Sequence, residues 1–513
     1  MRRTLAIAIV TLAGASVLVG LYVAGSSGAE PVTAQATSPS TTTSAAPPTT
    51  TAPSTTTTTT TTTPFARFVD PRTVGTAWGV TEGVLQFRGN PTRTWYGPSR
   101  LPDNPRRLWK FPDSGMCGSS SVGGETTNWC GTGWTGQPAV WIRPDGITEV
   151  VFGAYDKAVH FLDASTGERT RPDFQVGDLI KGSVTIDPDG YPLLYFGSRD
   201  NKLRVVALDR EQPTELWAID ASEHPGVWNN DWDGNPSIVE DIMFEGGENG
   251  ILFATKLNRS YDPNGKVRVD PVILVKVEGW NDELFRSVGD RNASIESSVA
   301  ILNGRLYFTN SGGRVVGLDI TNVEAGEAPI VFDFWAGDDI DASPVIDADG
   351  MLYLAIELER RLPRSAEVGQ IIKLDPFAPD DPLVWSVAVP ALNSQSDGGA
   401  WATPALGDGV LYVATHTGEV LAIDAETGDV SWRDDIGFHA WSSPLVIDGH
   451  LLLAVDCEAG GGLRAYSLAD PRQPSEVWEM NHGGGCIEST PTVWDGTIFV
   501  GSRDGYFYAF GDR

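Results

Sequence analysis

Sulfur is scarce in this chain: 4 cysteines and 5 methionines among 513 residues. No Cys-x-x-Cys pair or paired histidines accompany the cysteines, which excludes a zinc cluster. Basic residues are also few, 37 against 67 acidic ones, and the formal net charge is -30. So acidic a surface repels nucleic acid and anionic lipid. There is no Gly-x-Ser-x-Gly elbow and no phosphate-binding loop, so serine-hydrolase and P-loop chemistry are excluded. The histidines (His160, His224, His416, His439, His450, His482) are scattered and read as packing or surface residues. Beyond the N-terminus no long segment has helical periodicity.

Glycine (57), proline (34) and tryptophan (17) are plentiful, the composition of many tight turns and many aromatic anchors. Residues 1–25 read as an export segment. Arg2 and Arg3 precede an apolar run of roughly 20 residues, which serves either as an uncleaved anchor or as a cleaved signal peptide. The arginine pair stays inside, so the rest of the chain is expected outside, membrane-anchored or secreted. Residues 26–64 are Ser, Thr, Ala and Pro, ending in the run Thr55–Thr63. They cannot bury enough apolar surface to offset their ordering entropy and read as a stalk. Residues 65–105 form a lead-in, and 106–513 a repeat domain.

One pattern recurs through the repeat domain. Its clearest copy is Trp401-Ala-Thr-Pro-Ala, then Gly409-Val-Leu-Tyr-Val-Ala, then Gly418-Glu-Val-Leu-Ala-Ile-Asp424, then Thr427-Gly-Asp-Val-Ser-Trp432. These are four alternating strands with tight turns, hence one antiparallel sheet. Second strands align at Val151–Gly153, Leu194–Gly197, Leu252–Ala254, Leu306–Thr309, Leu352–Ala355, Leu411–Ala414, Leu452–Ala454 and Ile498–Gly501. The spacing of roughly 40–60 residues is that of propeller blades. The last copy lacks a fourth strand, whereas Arg106–Phe111 has the form of one. The predicted fold is therefore all-β, an eight-bladed propeller of four-stranded antiparallel blades. An N-terminal strand completes the C-terminal blade and removes the open sheet edges. Seven blades result if the irregular third or fifth copy is not a blade.

Asp424-Ala-Glu-Thr-Gly428 with Trp432, and Asp163-Ala-Ser-Thr-Gly167, resemble the repeats of pyrroloquinoline-quinone (PQQ)-like propellers. Phe87-Arg-Gly-Asn-Pro-Thr-Arg-Thr94 resembles their lead-in. The resemblance covers about residues 86–513 and implies the fold. It leaves function open between quinoprotein dehydrogenases, outer-membrane assembly scaffolds and surface proteins. Trp109, Trp217, Trp385, Trp432 and Trp478, with Phe285 and Trp335 as looser matches, read as fourth-strand residues docking one blade on the next. Cys117 is expected to pair with Cys130 and Cys457 with Cys486, by nearness and blade adjacency.

First strands of a propeller line its axis. The residue two before each Ser/Thr-Pro position gives a ring: Thr135, Lys181, Asp233, Glu296, Asp341, Trp401, Trp441 and Glu488. Asp233, Glu296 and Asp341 could hold a hard cation such as Ca²⁺. Trp401 and Trp441 offer a wall for a sugar, a ring or a cation. The alternative is a set of solvated channel residues with Lys181 neutralising one acid. The resemblance implies a further version, a PQQ- and Ca²⁺-dependent dehydrogenase of alcohols or sugars with Asp341 as base. Four ring carboxylates oppose a polycarboxylate cofactor, and the adjacent-cysteine pair of such alcohol dehydrogenases is absent. The expected function is thus an exported, monomeric binding or scaffold module. It takes a protein, peptide or carbohydrate at the propeller face, with no nucleic acid and no confident cofactor. The insertions at Asn258–Pro271 and Glu357–Gly369 are expected to crown that face.

Overall fold

Five of the hairpins joining first to second strands share one turn. In Asn303-Gly304, Asp408-Gly409, Asp448-Gly449 and Asp495-Gly496 both residues have positive φ, as do Glu240 and Asp241. Such a turn matches the right-handed twist of the flanking strands. Repetition of this hairpin builds an all-β propeller of eight four-stranded antiparallel blades. The computed structural model describes residues 68–512 except 123–124, 134–135, 438–439 and 456–460. The expected export segment and stalk lie outside the described residues, and no described helix is long and apolar enough to cross a membrane.

Blades 1 to 7 span residues 139–175, 185–220, 237–278, 300–335, 345–387, 405–435 and 445–481. Blade 8 spans 492–511 and takes its fourth strand from Arg106–Phe111, paired with Phe507–Gly511 from Arg106 opposite Gly511 to Phe111 opposite Phe507. The third copy departs from the sequence alignment. Its second strand is Ile242–Gly246, and the segment holding Leu252–Ala254 is the third strand, Ile251–Lys256. Its hairpin turns on Glu240-Asp241 with no glycine, so the usual marker was missing.

Trp109, Trp217, Trp335, Trp385, Trp432 and Trp478 lie on fourth strands, whereas Phe285 lies on the short helix Asp282–Val288. The indole N–H of Trp385 donates to the Ala425 carbonyl of the next blade at 3.1 Å, and that of Trp109 to Ala164 at 3.0 Å. Blade stacking buries the aromatic and branched side chains of adjacent sheets against each other, which is where the core lies.

The lead-in crosses the axis on the side where first strands end. Val84 pairs with Val140 of blade 1, Leu85 accepts from Ile186 N–H of blade 2, and Phe87 N–H donates to Asn235 of blade 3. Pro91 accepts from Ile301 of blade 4 and Thr92 from Ile346 of blade 5, while Arg88 donates to the Thr403 carbonyl of blade 6. Arg93 is fully buried and donates twice to the Val299 carbonyl, at 2.8 and 2.6 Å. This segment plugs the lower end of the channel.

The two insertions lie on opposite faces. Glu357–Gly369 stands on the upper face with the first-strand starts. Asn258–Pro271 carries a small hairpin on the lower face, where Arg259 pairs with Asp187, Asp189 and Asp241 in the turns between first and second strands. The reason is connectivity: one insertion follows a second strand and the other a third strand. Only one of them can crown the acidic mouth.

Candidate functional site

The motif residues form a belt around the axis, Ser or Thr in six blades and Gln137 and Asn235 in blades 1 and 3. Ser298 N–H donates to Ser343 Oγ at 2.9 Å, Ser343 to Thr403 Oγ1 at 2.9 Å, and Thr403 to Ser443 Oγ at 3.0 Å. Gln137 donates likewise to Ser183 Oγ, Asn235 to Ser298 Oγ, and Ser443 to Thr490 Oγ1. Thr490 N–H reaches the Gly136 carbonyl at 2.9 Å and returns the belt to blade 1. Each hydroxyl thus satisfies a buried backbone donor of its neighbour. In extended backbone, the residue two before it projects to the same side.

Above the belt is an axial cavity of about 20 Å³. Glu296, Asp341, Trp401 and Trp441 line it together with Ser298, Ser343, Thr403 and Ser443, and Phe87 of the plug is also in its wall. Thr135 lies outside the described residues. Glu488 stands 3.5 Å from the Arg503 guanidinium, which lies over the rings of Trp129 and Tyr155. Trp129 comes from the hairpin of Cys117–Val122 and Glu125–Cys130, closed by the disulfide Cys117–Cys130. Cys457, and with it the second expected pairing, lies outside the described residues.

Among the described residues, carboxylate oxygens converge in two trios rather than one. Asp233 and Glu296 meet Glu248, whereas Asp341 meets Asp339 and Glu357; in each trio the oxygens lie within 4.8 Å of one another. The first trio has an internal cation. Lys181 Nζ bridges Asp233 and Glu248, the latter at 3.1 Å. Burial alone would lower the Lys181 ammonium, but Asp233, Glu248 and Glu296 hold it well above its ordinary value. Burial raises Glu248 to about 7 and Asp231 to about 6. Burial, then the Asp341 charge, puts Glu296 well above the carboxylate range.

The second trio is poorly compensated. Burial and the Asp339 charge push Asp341 well up; burial, Asp341 and Asp339 do the same to Glu357. Burial raises Asp339 to about 6 although Arg360 opposes it, 3.4 Å away. Arg360 is shared with Asp290 and the Ser311 carbonyl.

Trp401 is buried and packs on His416, ring centroids 3.8 Å apart, while the Trp441 indole N–H donates to His416 Nδ1 at 3.0 Å. With one face of Trp401 covered, the pair is not a flat sugar platform. PQQ does not fit these residues either. The cavity is far below the ~300–1,000 Å³ of small-molecule sites, and the ring's one lysine is already engaged with two acids.

Sequence reasoning missed Glu248, Asp339, Glu357 and His416. Asp339 was within reach, since Asp339-Ile340-Asp341 places both acids on one side of an extended segment. Glu248 sits in the turn Gly247-Glu248-Asn249-Gly250, where nothing in the sequence announces an axial residue.

The family described as outer membrane protein assembly factor BamB matches residues 367–473, from the middle of blade 5 into blade 7. A relative of that description from Moranella endobia is 33% identical over 99 residues, 18% of this chain and 24% of its own length. The chain thus matches about a quarter of that relative. Among solved structures, BamB from Moraxella catarrhalis superposes with TM-score 0.50 at 14% identity, over 80% of this chain and 98% of that one. A quinohemoprotein alcohol dehydrogenase from Pseudomonas putida HK5 gives 0.56 at 12% identity, over 84% and 80%. That of Comamonas testosteroni gives 0.55 at 13%, over the same shares. Identities this low establish the fold alone. With the repeat match over residues 367–473, they are consistent with a PQQ-like propeller.

Proposed function

We propose that this protein is an exported cell-envelope propeller that binds a protein partner through a basic side chain presented to its upper axial mouth. The observation that carries this is the pairing of acids and indoles around a cavity of about 20 Å³. It has room for a water-sized or ammonium-sized group, not for a cofactor. Glu296 and Asp341 supply carboxyl oxygens that a bound cation would draw into their charged form, and Trp401 and Trp441 supply ring faces that favour a cation. The acidic chain, at -30, steers basic partners toward it. The Cys117–Cys130 hairpin stands at the same face and supplies a rigid rim. An envelope location is supported by the Arg2–Arg3 export segment and by the assembly-factor description of the relatives. Carbohydrate binding and PQQ-dependent dehydrogenation find less support in the covered Trp401 face and the small cavity.

The test is fluorescence anisotropy with labelled peptides bearing lysine, arginine or norleucine at one position. Lysine or arginine peptides should bind, and norleucine peptides should not. Glu296→Gln and Trp441→Ala should each weaken binding at least tenfold. Binding indifferent to both substitutions, or a PQQ-induced rise in the melting temperature, would refute this reading.

A further inference from the structure

The two carboxylate trios differ in one respect: the first encloses Lys181 and the second encloses no lysine. Asp339, Asp341 and Glu357 all come from blade 5, two from the start of its first strand and one from the segment after its second. Glu357 is pinned by backbone pairing opposite Gly399 and by its N–H donating to the Asp339 carbonyl at 2.9 Å. Glu357 is 2% exposed, and its Oε1 has no hydrogen-bond partner; the same holds for Asp339 Oδ1, in a residue 7% exposed. Buried carboxylate oxygens without a donor are costly unless a cation meets them. Asp338, by contrast, is served by the backbone N–H groups of Asp339, Arg360 and Arg361.

We propose that Asp339, Asp341 and Glu357 form a single-blade binding site for a divalent cation, Ca²⁺. The geometry suits that ion. Oxygens on opposite sides of a Ca²⁺ ion lie about 4.8 Å apart, twice a Ca–O distance of ~2.4 Å. The trio's oxygens lie within 4.8 Å of one another. Three hard oxygen ligands leave positions for water, which Ca²⁺ tolerates and which zinc, preferring nitrogen and sulfur, does not seek. The ion would tie the first-strand start of blade 5 to the Glu357–Gly369 insertion. This site shares Asp341 with the one expected from Asp233, Glu296 and Asp341 but draws on one blade instead of three. It shares Asp341 with the axial partner reading too, but Glu357 does not line that cavity, so Glu357→Gln tests the Ca²⁺ site alone.

The experiment is calorimetric titration of CaCl₂ into the chelator-treated full chain, with thermal unfolding in parallel. Expected are one Ca²⁺ per chain, proton release on binding, and a raised melting temperature. Glu357→Gln and Asp341→Asn should each weaken Ca²⁺ binding at least tenfold, while the exposed control Glu211→Gln leaves it unchanged. Absence of heat and of any melting shift up to about 10 mM Ca²⁺, beyond the weakest extracellular Ca²⁺ sites, overturns the proposal. So does binding that survives both substitutions. Should neither variant fold, anomalous scattering from Ca²⁺-soaked wild-type crystals decides. A peak within Ca–O distance of the three carboxylates supports the site, and a peak elsewhere or none rejects it.

Discussion

The hydroxyl of Ser343 accepts the backbone N–H of Ser298 across the seam between blades 5 and 4, at 2.9 Å. Both residues are buried. The bond is one step of a belt of such bonds around the axis, in which a motif hydroxyl serves the neighbouring blade's backbone, while Gln137 of blade 1 and Asn235 of blade 3 serve the lead-in. Ser343→Ala leaves the Ser298 donor buried and unsatisfied. The expected cost is about 1–3 kcal/mol, read as a lower denaturation midpoint, with Ser343→Thr largely restoring it.

Stability should fall as pH rises from 5 to 8 in the presence of a chelator. Burial raises Glu248 to about 7 and Asp231 to about 6, so the folded chain holds protons that the unfolded chain has released. The stability from these groups is full below their ordinary carboxylate range and is lost as pH climbs to about 7. Glu248 is faced by Lys181, Asp233 and Glu296, and Asp231 by Arg199. Lys181, held well above its ordinary value, stays charged throughout and does not reverse the trend. His160 adds to it. Burial alone would lower that imidazole, but Asp156 and Asp173 outweigh burial and raise it, so its contribution is also lost with rising pH. Melting temperatures at pH 5 and 8 check this, and Glu248→Gln should flatten the difference.

The fold was legible where turn chemistry and strand alternation agreed. Blade 6 shows Asp408-Gly409 at the hairpin and Asp424 to Gly428 at the next corner, and both turns form as the residues demand. Blade closure was legible because Arg106–Phe111 had strand form without a neighbour of its own. Blade 3 misled because Glu240-Asp241 adopts positive φ without glycine, and the acid in Met243-Phe244-Glu245 masks a strand. Part of the axial arrangement was legible through first-strand spacing: Glu296, Asp341, Trp401 and Trp441 share one cavity. Glu248 and Glu357 were not, because they arrive from connections between second and third strands, whose reach over the axis depends on packing rather than on local pattern. The plug was hidden for the same reason. Arg88 and Arg93 look like surface residues in the sequence, yet both are fully buried.

Lys181 is the internal cation of the blade 2–3 seam. Lys181→Met removes the charge shared by Asp233 and Glu248 and keeps most of the volume. Breaking a buried pair by deleting one partner costs about 3–5 kcal/mol, because the remaining carboxylates must take up protons or stay unpaired. The variant should melt well below wild type at pH 8 and much closer to it at pH 5, where Glu248 is protonated. A melting loss equal at both pH values would show that Lys181 acts by packing alone.

Gly428 tests whether the blade-to-blade contact requires the glycine of the Asp-x-x-x-Gly turn. Its φ is +80°, and a Cβ there would stand 2.8 Å from Trp385 Cδ2 and Cγ on the preceding blade. The Trp385 indole is fixed by its bond to the Ala425 carbonyl at 3.1 Å, so it cannot withdraw without losing that bond. Gly428→Ala therefore meets both a left-handed backbone and a steric contact, and overpacking of this kind costs about 1–3 kcal/mol. Gly409 has φ +73° with nothing within 4 Å of a built Cβ, so Gly409→Ala carries only the backbone part. The denaturation midpoint should fall more for Gly428→Ala than for Gly409→Ala. Equal losses would mean that Trp385 yields, and that the tryptophan-to-glycine contact does not set the angle between blades.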